Sequence, residues 1–543
     1  MPILASSIDT SSATFQKNRE DQLAHIAEIR AIEQRVRDNS ARKAEKFQKR
    51  GQLLPRDRLA RLLDRGAPFL ELSSLAGYKM HDDDGERDVA GGGNIVGIGF
   101  VGGIRCLVGA ADSAIKGGSI SPMGLRKSLR SQQIALENRL PMISLAESGG
   151  ANLLYQAEIF VDGGRVFANM ARLSAAGLPQ ITVVHGSSTA GGAYLPGLSD
   201  YVIMVRGKAK VFLAGPPLVE AATGEIATDE ALGGAELHAT VTGTAEYLAE
   251  DDAHAVHLAR DLMTKLGWDD DPAPRRDHPR AKVAKPPRYD TGELLGLVPA
   301  DFRRPYDVRE VIARLVDDSD FLEFKALYGG ATVCGHASID GHAVGIIGNN
   351  GPIDPDGATK ASHFIQLCCQ SDTPLLFLQN TTGYMVGTEA ERAGMVKHGS
   401  KMIQAVANAT VPKLTLVLGG SFGAGNYGMC GRSFDPRFVF AWPASRIAVM
   451  GGEQAAKVME LITTAKLTRM GMTPNAEAIG AMGGELKKRL GDESKALYAT
   501  ARLWDDGIID PRDSRKVLSF ALATIREGER RRLYPNTFGV ARM

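Results

Sequence analysis

The chain has 543 residues, of which 44% are hydrophobic, and its 64 basic and 63 acidic side chains leave a formal net charge of +1. A chain of this length can bury more than one core, while its near-neutral charge offers no global field to attract nucleic acid or an anionic membrane surface. Five cysteines without a CxxC pair argue against a zinc ribbon and a disulfide framework. We therefore expect no metal in this chain and a reducing compartment.

The first predicted element is a long amphipathic helix within residues 18–50. Five apolar residues recur in it at helical spacing: Leu23, Ile26, Ile29, Ile32 and Val36. We interpret residues 1–50 as a helical arm that docks on another surface. No secretory signal and no run of about 18 apolar residues is present, so we expect a cytoplasmic protein in a bacterium, or a mitochondrial-matrix protein in a eukaryote.

Gly97, Gly99 and Gly102 spell GxGxxG, the spacing of dinucleotide-binding turns. Such a turn requires a helix after the third glycine. The next residues, Ile104 to Val108, instead form an apolar run typical of a strand. We predict a β-hairpin here, with residues 101–103 as its turn, and no nucleotide site.

A glycine-rich turn at residues 147–151 (ESGGA) follows a predicted strand at 142–145 and precedes a predicted helix that begins at Leu154. Gly149 and Gly150 allow close approach of a ligand, and unpaired amides at a helix start suit a developing oxyanion such as an enolate. The same construction recurs after two more strands, at Ala190, Gly191 and Gly192 and at Gly423, Ala424 and Gly425. The alternative is that these glycines only permit tight packing of strand against helix.

The chain repeats itself at one fixed offset. LPQITVVHG at 178–186 aligns with VPKLTLVLG at 411–419, and 411 − 178 = 233. The turns that follow keep the same offset, since Tyr194 faces Tyr427, and upstream Lys127 faces Lys360. A repeated unit predicts two similar α/β domains. We place them at residues 51–268 and 291–543.

The segment 269–290 between them is rich in proline and alternating charge, so it is predicted to be a linker. The chain contains no GxxxxGK[ST] loop and no HExxH, and we assign no serine elbow of the form GxSxG on a strand-turn-helix, which counts against phosphoryl transfer and zinc hydrolysis. His185, at the end of a predicted strand, is interpreted as structural, and Cys368 and Cys369 as core residues of a helix.

Together these residues resemble the carboxyltransferase (beta) subunits of biotin-dependent acyl-CoA carboxylases over nearly the whole chain. The resemblance is carried by LLPRDRLARLLD, AIKGG, ESGGAN, GSSTAGGAY, FLAGPPLVEAATGE, RPYDVREVIARLVD, LQNTTGYMVG, GAGNYGMCGR and MGGEQAA. TAGGAY, GPPLV, GAGNYGMCGR and MGGEQAA are similar to the branch that carboxylates the γ-carbon of 3-methylcrotonyl-CoA or geranyl-CoA.

The resemblance implies a crotonase-like fold (ClpP/crotonase superfamily) in each half, with the active site between the N-domain of one subunit and the C-domain of another. In the family, carboxybiotin releases CO₂, its ureido nitrogen takes the substrate proton, and the enolate attacks CO₂. The protein then supplies positioning and two oxyanion holes. By the family's pattern, the thioester oxygen would be held by Gly149, Gly150 and Ala151. The ureido oxygen would be held by Ala424 and Gly425, with Gly423 shaping the turn.

Further substrate contacts are expected on the acyl-CoA side. Gly191 and Gly192 of the TAGGAY turn are assigned to substrate binding. Lys116, Arg126 and Lys127 are candidates for the CoA phosphates, with ordinary surface positions on a helix as the alternative.

One departure from the family bears on the substrate. After SGGA this chain has NLLYQAEIFVDGGRVF, a shorter segment than in the methylcrotonyl enzymes, with Gly163 where an aromatic Phe would align. If this position lines the acyl pocket, the space admits the longer geranyl chain, and we favour geranyl-CoA. The alternatives are a neutral loop change in a 3-methylcrotonyl-CoA carboxylase of leucine catabolism or, less favoured, a propionyl-CoA carboxylase.

The resemblance also implies a partner, because this chain has no recognisable ATP site and no biotinylation sequence. A second (alpha) subunit with biotin carboxylase and biotin carrier domains would use ATP and bicarbonate and supply carboxybiotin. The family indicates a hexameric core within a complex of six copies of each subunit, with no nucleic acid and no membrane. The rival interpretations are the carboxyltransferase of a sodium-pumping decarboxylase and an inactive CoA-binding scaffold.

Overall fold

The computed structural model describes residues 3–268 and 283–540, which divide into two compact units. Unit N comprises the described residues within 31–268, 501–503 and 524–540, and unit C those within 3–30, 283–500 and 504–523. Most of the predicted linker lies outside the described residues, and the predicted domain boundaries remain predictions. Among the described helices, none is both long and apolar enough to cross a membrane.

Unit N is built on an eight-stranded sheet. Its strands are β1 Leu70–Leu72, β2 Asn94–Val101, β3 Ile104–Ala111, β4 Met142–Ser148, β5 Gln180–Thr189, β6 Tyr201–Val205, β7 Lys210–Phe212 and β8 Tyr247–Ala249. The helices up to the end of this sheet are α1 Ala13–Ala41, α2 Ala44–Lys49, α3 Pro55–Leu62, α4 Pro122–Asn138, α5 Gln156–Ala175, α6 Tyr194–Gly197, α7 Pro216–Thr223, α8 Asp229–Gly233, α9 Ala235–Thr240 and α10 Asp252–Lys265.

Unit C is built on a seven-stranded sheet. Its strands are β9 Leu322–Phe324, β10 Thr332–Ile339, β11 His342–Asn349, β12 Leu375–Thr381, β13 Lys413–Phe422, β14 Phe438–Ala441 and β15 Arg446–Ala448. The remaining helices are α11 Leu294–Leu297, α12 Val308–Leu315, α13 Pro355–Gln370, α14 Thr388–Arg392, α15 Met395–Ala407, α16 Gly423–Gly428, α17 Gly452–Arg469, α18 Ala476–Glu493, α19 Ala496–Ala501 and α20 Ser514–Arg530.

The two sheets share one topology apart from β8, which has no counterpart among the described strands of unit C. In unit N the order is β1-β2-β3-β4-β5-β6-β8, with β7 paired to the end of β5; in unit C it is β9-β10-β11-β12-β13-β14, with β15 paired to the end of β13. The first three strands of each sheet are antiparallel and the later pairs are parallel, with α4 or α13 as a crossover. The predicted repeat of a mixed α/β unit is therefore confirmed.

The register of the parallel pairs repeats at the predicted offset. Met142 faces Gln180 across β4 and β5, and Leu375 faces Lys413 across β12 and β13. Both strands are displaced by the same number, since 375 − 142 = 233 and 413 − 180 = 233. The two halves thus agree in strand pairing as well as in sequence.

Two further sequence predictions are confirmed. Residues 97–102 lie in and after β2, which pairs antiparallel with β3 so that Val101 faces Ile104, and the segment is a hairpin. The long N-terminal helix is α1, which ends at Ala41, short of the predicted residue 50, and is followed by the separate helix α2; four of its five predicted apolar residues are buried. Its first part belongs to unit C, where Asn18 donates to the Gly296 carbonyl, and its last part to unit N, where Ser40 donates to Asp112.

The interiors of the sheets are closely packed, which gives a test of the fold. In β11 of unit C, a Cβ added at Gly345 would lie 2.5 Å from the Cys368 sulfur and 3.2 Å from the Phe364 ring. Gly345→Ala is therefore expected to lower the free energy of unfolding by about 1–3 kcal/mol through overpacking. Gly480→Ala on exposed α18, where nothing lies within 4 Å, is expected to raise it by up to roughly 1 kcal/mol. Thermal unfolding of both variants checks this, and equal shifts would contradict it.

Candidate functional site

The first site lies in unit N where β4 ends. The turn after Ser148 forms a single parallel bridge with Ile120, in which the Ile120 amide donates to the Gly150 carbonyl at 2.9 Å and the Asn152 amide donates back at 3.0 Å. The amide of Ala151 takes no part in this bridge. Because these two bonds fix the residues on either side, the Ala151 N–H is directed away from Ile120.

The three predicted donors of this turn differ in their partners. The Gly150 amide donates to Ser148 Oγ at 3.1 Å, and the Gly149 amide has a long contact of 3.4 Å with the Gly118 carbonyl. Within the described part of the chain, the Ala151 amide has no acceptor. Gly150 has φ +86°, a left-handed conformation that favours glycine. Of the three, Ala151 is the donor that is ready for a ligand.

A second turn lies beside the first one. Residues 190–193 follow β5 directly, and Ala190 has φ +53°. A Cβ added at Gly192 would lie 3.3 Å from Ser148 Oγ, so the glycine allows the two turns to approach closely. The structure thus brings together the predicted residues Ala151, Gly191 and Gly192.

These turns open into a cavity of about 720 Å³ between α4, α5 and the sheet of unit N. Its volume is in the range of small-molecule sites. Residues that line it include Ser148, Ala151, Gly191, Gly192, Leu125, Ser128, Phe160, Gly163, Gly164, Phe167 and Met170. A chain-like apolar ligand can therefore extend from the turns into the groove between the two helices.

Gly163 is part of the wall of this cavity, on the side of α5 that faces α4. A Cβ added there would meet only Leu125 Cδ1, at 4.0 Å, and a Cβ at Gly164 would meet nothing within 4 Å. An aromatic ring at position 163 would therefore project into space that is open in this chain.

Lys116 lies at the edge of the first turn. Its ammonium pairs with Asp82 at 2.6 Å, and Asp82 also accepts from Tyr155 Oη at 3.0 Å and Asn152 Nδ2 at 3.1 Å. Partial burial raises the pKa of Asp82, but the hydrogen bonds from Lys116 and Tyr155 outweigh it and hold that pKa below its usual value. The Lys116 side chain is about a third exposed, so its ammonium can also meet an external anion.

Lys127 is buried in α4, unlike Lys116. Its ammonium donates to the Gly91 carbonyl at 3.2 Å and the Asn94 carbonyl at 2.6 Å. The loop between these two acceptors lines the cavity, so Lys127 holds one wall of it from behind. Arg126, the neighbouring residue, is half exposed and lies 3.7 Å from Asp162.

Unit C repeats the two turns. The Ile353 amide donates to the Gly383 carbonyl at 3.0 Å, which leaves the Tyr384 amide outside the bridge just as Ala151 is, and 384 − 151 = 233. Gly423 has φ +54°, close to the φ of its counterpart Ala190. A Cβ added at Gly425 would meet the Gly383 Cα at 2.8 Å, so these turns also depend on glycine for their close approach.

Side chains that the sequence reasoning missed fix the second of these turns. Ser421 donates to Gln379 Oε1 at 2.6 Å, Asn426 Nδ2 donates to Ser421 Oγ at 2.8 Å, and Gln379 Nε2 donates to the Met429 carbonyl at 2.6 Å. This chain of bonds ties α16 to β12 and β13. Tyr384 itself was also missed, although the offset of 233 from Ala151 points to it.

A buried charged set behind the first turn of unit N was missed too. It consists of Arg58, Glu147, His185 and Asp252. His185 is fully buried, which agrees with its interpretation as structural. Burial lowers its pKa despite the hydrogen bond to Asp252, so the imidazole is neutral at pH 7.

The repeated sheet topology, with two adjacent turns in each unit and one turn amide left outside the bridge, defines a duplicated α/β protein whose backbone N–H groups are suited to binding oxyanions. The chain belongs to the carboxyl transferase family, because the carboxyl transferase domain matches residues 46–541. More specifically, it is the carboxyltransferase (beta) subunit of a biotin-dependent acyl-CoA carboxylase, with the two-domain crotonase-like fold that the sequence resemblance implied.

Three similar proteins support this assignment. The crystal structure of the Pseudomonas aeruginosa geranyl-CoA carboxylase beta subunit is 61% identical, with a TM-score of 0.93 and 100% coverage of both chains. A probable mitochondrial methylcrotonoyl-CoA carboxylase beta chain of Drosophila melanogaster is 48% identical, over 96% of this chain and 92% of its own. A probable biotin-dependent acyl-coenzyme A carboxylase beta2 subunit of Mycobacterium tuberculosis is 46% identical over 100% of both chains.

The burial of Lys127 predicts a pH dependence. Burial lowers its pKa from 10.5 to about 8. The unfolded state therefore binds more protons between these values, so the free energy of unfolding should rise as the pH increases through this window. Relative to Lys127→Met, the native protein should gain roughly 3 kcal/mol at most between about pH 7 and about pH 10.5, measured by denaturant unfolding. Lys265→Met, which removes an exposed ammonium, is the control. A difference in the free energy of unfolding between the native protein and Lys127→Met that stays constant with pH would contradict the prediction.

Proposed function

We propose that this subunit transfers a carboxyl group from carboxybiotin to the γ-carbon of geranyl-CoA. The assignment of geranyl-CoA as the substrate rests on Gly163, which leaves the wall of the unit N cavity open beside Leu125. The 61% identity to a chain named as a geranyl-CoA carboxylase beta subunit supports the same choice. The second candidate substrate is 3-methylcrotonyl-CoA, favoured by relatives that are named for it.

The acyl-CoA site of this proposal is the pair of turns in unit N. The amides of Gly149, Gly150 and Ala151 hold the thioester oxygen, and Gly191 and Gly192 border the substrate. Negative charge develops on that oxygen as the enolate forms, so fixed N–H donors stabilise the transition state more than the bound substrate. Ala151 is the principal donor, because its amide has no other acceptor among the described residues.

The biotin site of this proposal is the pair of turns in unit C. Carboxybiotin supplies the CO₂, and its ureido nitrogen accepts the substrate proton, so the chain needs no general base of its own. The amides of Ala424 and Gly425 hold the ureido oxygen while Gly423 shapes the turn. The positive φ of Gly423 and the 2.8 Å approach at Gly425 support the fit, since Gly425 has no room for a side chain and a Cβ at Gly423 would lie 3.1 Å from the Val449 carbonyl oxygen.

The CoA phosphates are assigned to the cationic edge of the acyl site. Lys116 is the first choice, because it lies beside the turn and its ammonium can exchange Asp82 for a phosphate oxygen. Arg126, on α4, is half exposed and lies 3.7 Å from Asp162 on α5. Lys127 supports the cavity wall from its buried side, because its ammonium donates to the Gly91 and Asn94 carbonyls of the loop that forms this wall.

The working enzyme is proposed to be a complex. An alpha subunit with biotin carboxylase and biotin carrier domains uses ATP and bicarbonate and delivers carboxybiotin, and the beta subunits form a homohexameric core. The names of the relatives as beta chains and beta subunits support a separate alpha partner. A bacterial cytoplasm, or a mitochondrial matrix in a eukaryote, is the proposed location.

The substrate assignment predicts a preference that one side chain can reverse. The reconstituted complex should fix ¹⁴C-bicarbonate with geranyl-CoA in preference to 3-methylcrotonyl-CoA and propionyl-CoA. Gly163→Phe should lower kcat/KM for geranyl-CoA by roughly 10- to 200-fold, because the ring fills the space for the distal chain, while 3-methylcrotonyl-CoA is retained. Gly163→Ala, which adds one methyl group in the same helix, is the matched control.

A native preference for 3-methylcrotonyl-CoA would discard the geranyl assignment and keep the carboxyltransferase mechanism. Loss of both substrates in Gly163→Phe would mean that the ring distorts the helix, and it would remove Gly163 as the determinant of chain length.

The oxyanion assignment predicts a specific loss of rate. Ala151→Pro removes the N–H that has no other acceptor, so kcat should fall roughly 100- to 1000-fold with little change in acyl-CoA affinity. Ala151→Ser keeps the amide and should retain most of the activity. Steady-state kinetics with the reconstituted complex and calorimetric binding of the thioester measure the two effects. Full turnover by Ala151→Pro would show that another group holds the oxygen.

A further inference from the structure

Four polar side chains form a buried set behind the acyl turn of unit N. They are Arg58 on α3, Glu147 near the end of β4, His185 on β5 and Asp252 at the start of α10. Each is at most 9% exposed. Charged groups are rarely buried to this extent unless they are paired, so their mutual geometry needs an explanation.

Arg58 is the centre of the set. Its Nη1 donates to Glu147 Oε2 at 2.7 Å, and its Nε donates to Asp252 Oδ2 at 2.9 Å. Asp252 also accepts from His185 Nδ1 at 2.8 Å and from the Leu53 amide at 2.7 Å. Three donors from three segments therefore hold Asp252 in place. Because Asp252 also binds Arg58, the guanidinium that binds Glu147 is held in place as well.

Glu147 is the member that reaches the functional turn. It immediately precedes Ser148, whose hydroxyl accepts from the Gly150 amide, and it lines the cavity together with Ala151. The Ala151 N–H lies four residues further along the same turn, so its direction depends on how the Glu147 backbone is held. The neighbouring strand β5 leaves room for the Glu147 side chain, since a Cβ at Gly186 would lie 2.8 Å from the Glu147 carboxyl carbon.

Unit C keeps the shape of this arrangement without its charges. Asn380 stands at the position of Glu147, since 380 − 147 = 233, and Gly419 stands at that of Gly186. A Cβ at Gly419 would lie 2.4 Å from Asn380 Oδ1, and this oxygen accepts from the neighbouring Gly420 amide at 3.0 Å. Leu418 replaces His185. The repeated backbone therefore folds without the charged set, which points to a role beyond folding in unit N.

We propose that the Arg58–Glu147 pair is a positioning device for the acyl oxyanion site, which orients the turn 148–151 so that the Ala151 amide meets the thioester oxygen. A buried ion pair contributes little net stability compared with apolar packing, but it is satisfied in only one geometry. A turn that must present an amide to within tenths of an ångström benefits from such an anchor. Arg58 and Glu147 are positioning residues, and this role rests on the proposed function of the turn.

The test uses two variants that weaken the anchor in different ways. Arg58→Lys keeps the charge but has a single nitrogen, which cannot bind Glu147 and Asp252 in the fork geometry of a guanidinium. Glu147→Gln keeps the size and one acceptor but removes the charge. In the reconstituted complex, each should lower kcat for the preferred acyl-CoA, Arg58→Lys by roughly 100-fold, as expected for a misplaced catalytic donor. The dissociation constant of the acyl-CoA, from calorimetry, should change by less than about threefold, because most of the thioester's contacts are untouched.

Arg314 provides a matched control in unit C. It is also about 1% exposed and binds two carboxylates, Glu293 at 2.6 Å and Glu310 at 2.8 Å, but it contacts no glycine turn. Arg314→Lys should lower the thermal unfolding midpoint as much as Arg58→Lys does and leave kcat nearly unchanged. A merely structural role of Arg58 would give the same small effect on kcat per folded complex in both variants, and that result would overturn the proposal.

Amide hydrogen exchange gives a readout that needs no turnover. Peptides that cover residues 148–152 should exchange faster in Glu147→Gln than in the native chain, while peptides from β12 should not change. Unchanged exchange in the turn would also overturn the proposal, even if Arg58→Lys fails to fold. Failure of the proposed function is distinct, since the native complex would then carboxylate none of the acyl-CoA substrates.

Discussion

The constraint on which both sites depend is a shift of register near the carboxyl end of one parallel strand pair. In unit N, Ala146 pairs with Val184, but Ser148 pairs with Ser188. Between these two pairs β4 advances by two residues and β5 by four, so β5 contains two extra residues. Beyond the shift, the turn that ends β4 lies against the turn that ends β5, as the short approach of Gly192 to Ser148 shows. Unit C has the same irregularity between Gln379 and Thr381.

Backbone conformation, more than side-chain chemistry, is what the two halves have kept. Gly150 and Gly383 both have positive φ at the first turn, and Ala190 and Gly423 have nearly equal φ of +53° and +54° at the second. Ala190 adopts this left-handed conformation without being glycine, at a cost of roughly 1–2 kcal/mol. Such strain persists only where the surroundings determine the backbone, and it is concentrated at functional sites. The strained Ala190 directly precedes Gly191, which lines the cavity.

The features that could be predicted from the sequence are local or repeated. The hairpin after β2, the glycine turns and the two-fold repeat each depend on residues close in the chain or on one constant offset, and the structure confirms them. Lys127 was predicted to contact a CoA phosphate, with a surface position on its helix as the alternative, yet it and its counterpart Lys360 are both almost fully buried. The charged set around Glu147 was missed because Arg58 lies 89 residues away, and no periodicity joins two such positions.

The divergence of the two halves follows from the same division between backbone and side chain. An amide donor is present whatever side chain a residue carries, so a duplicated unit can keep its oxyanion geometry while every neighbouring side chain changes. Glu147 and Asn380 occupy equivalent positions in the two units. The Glu147 carboxylate accepts a hydrogen bond from Arg58, whereas the Asn380 side-chain oxygen accepts one from the Gly420 amide. In unit N the anchor extends through Arg58 to α10, and the groove between α4 and α5 is left open for an apolar chain. Under the proposed function, one scaffold thus binds two chemically different oxygens, because specificity is set outside the amides that stabilise the charge.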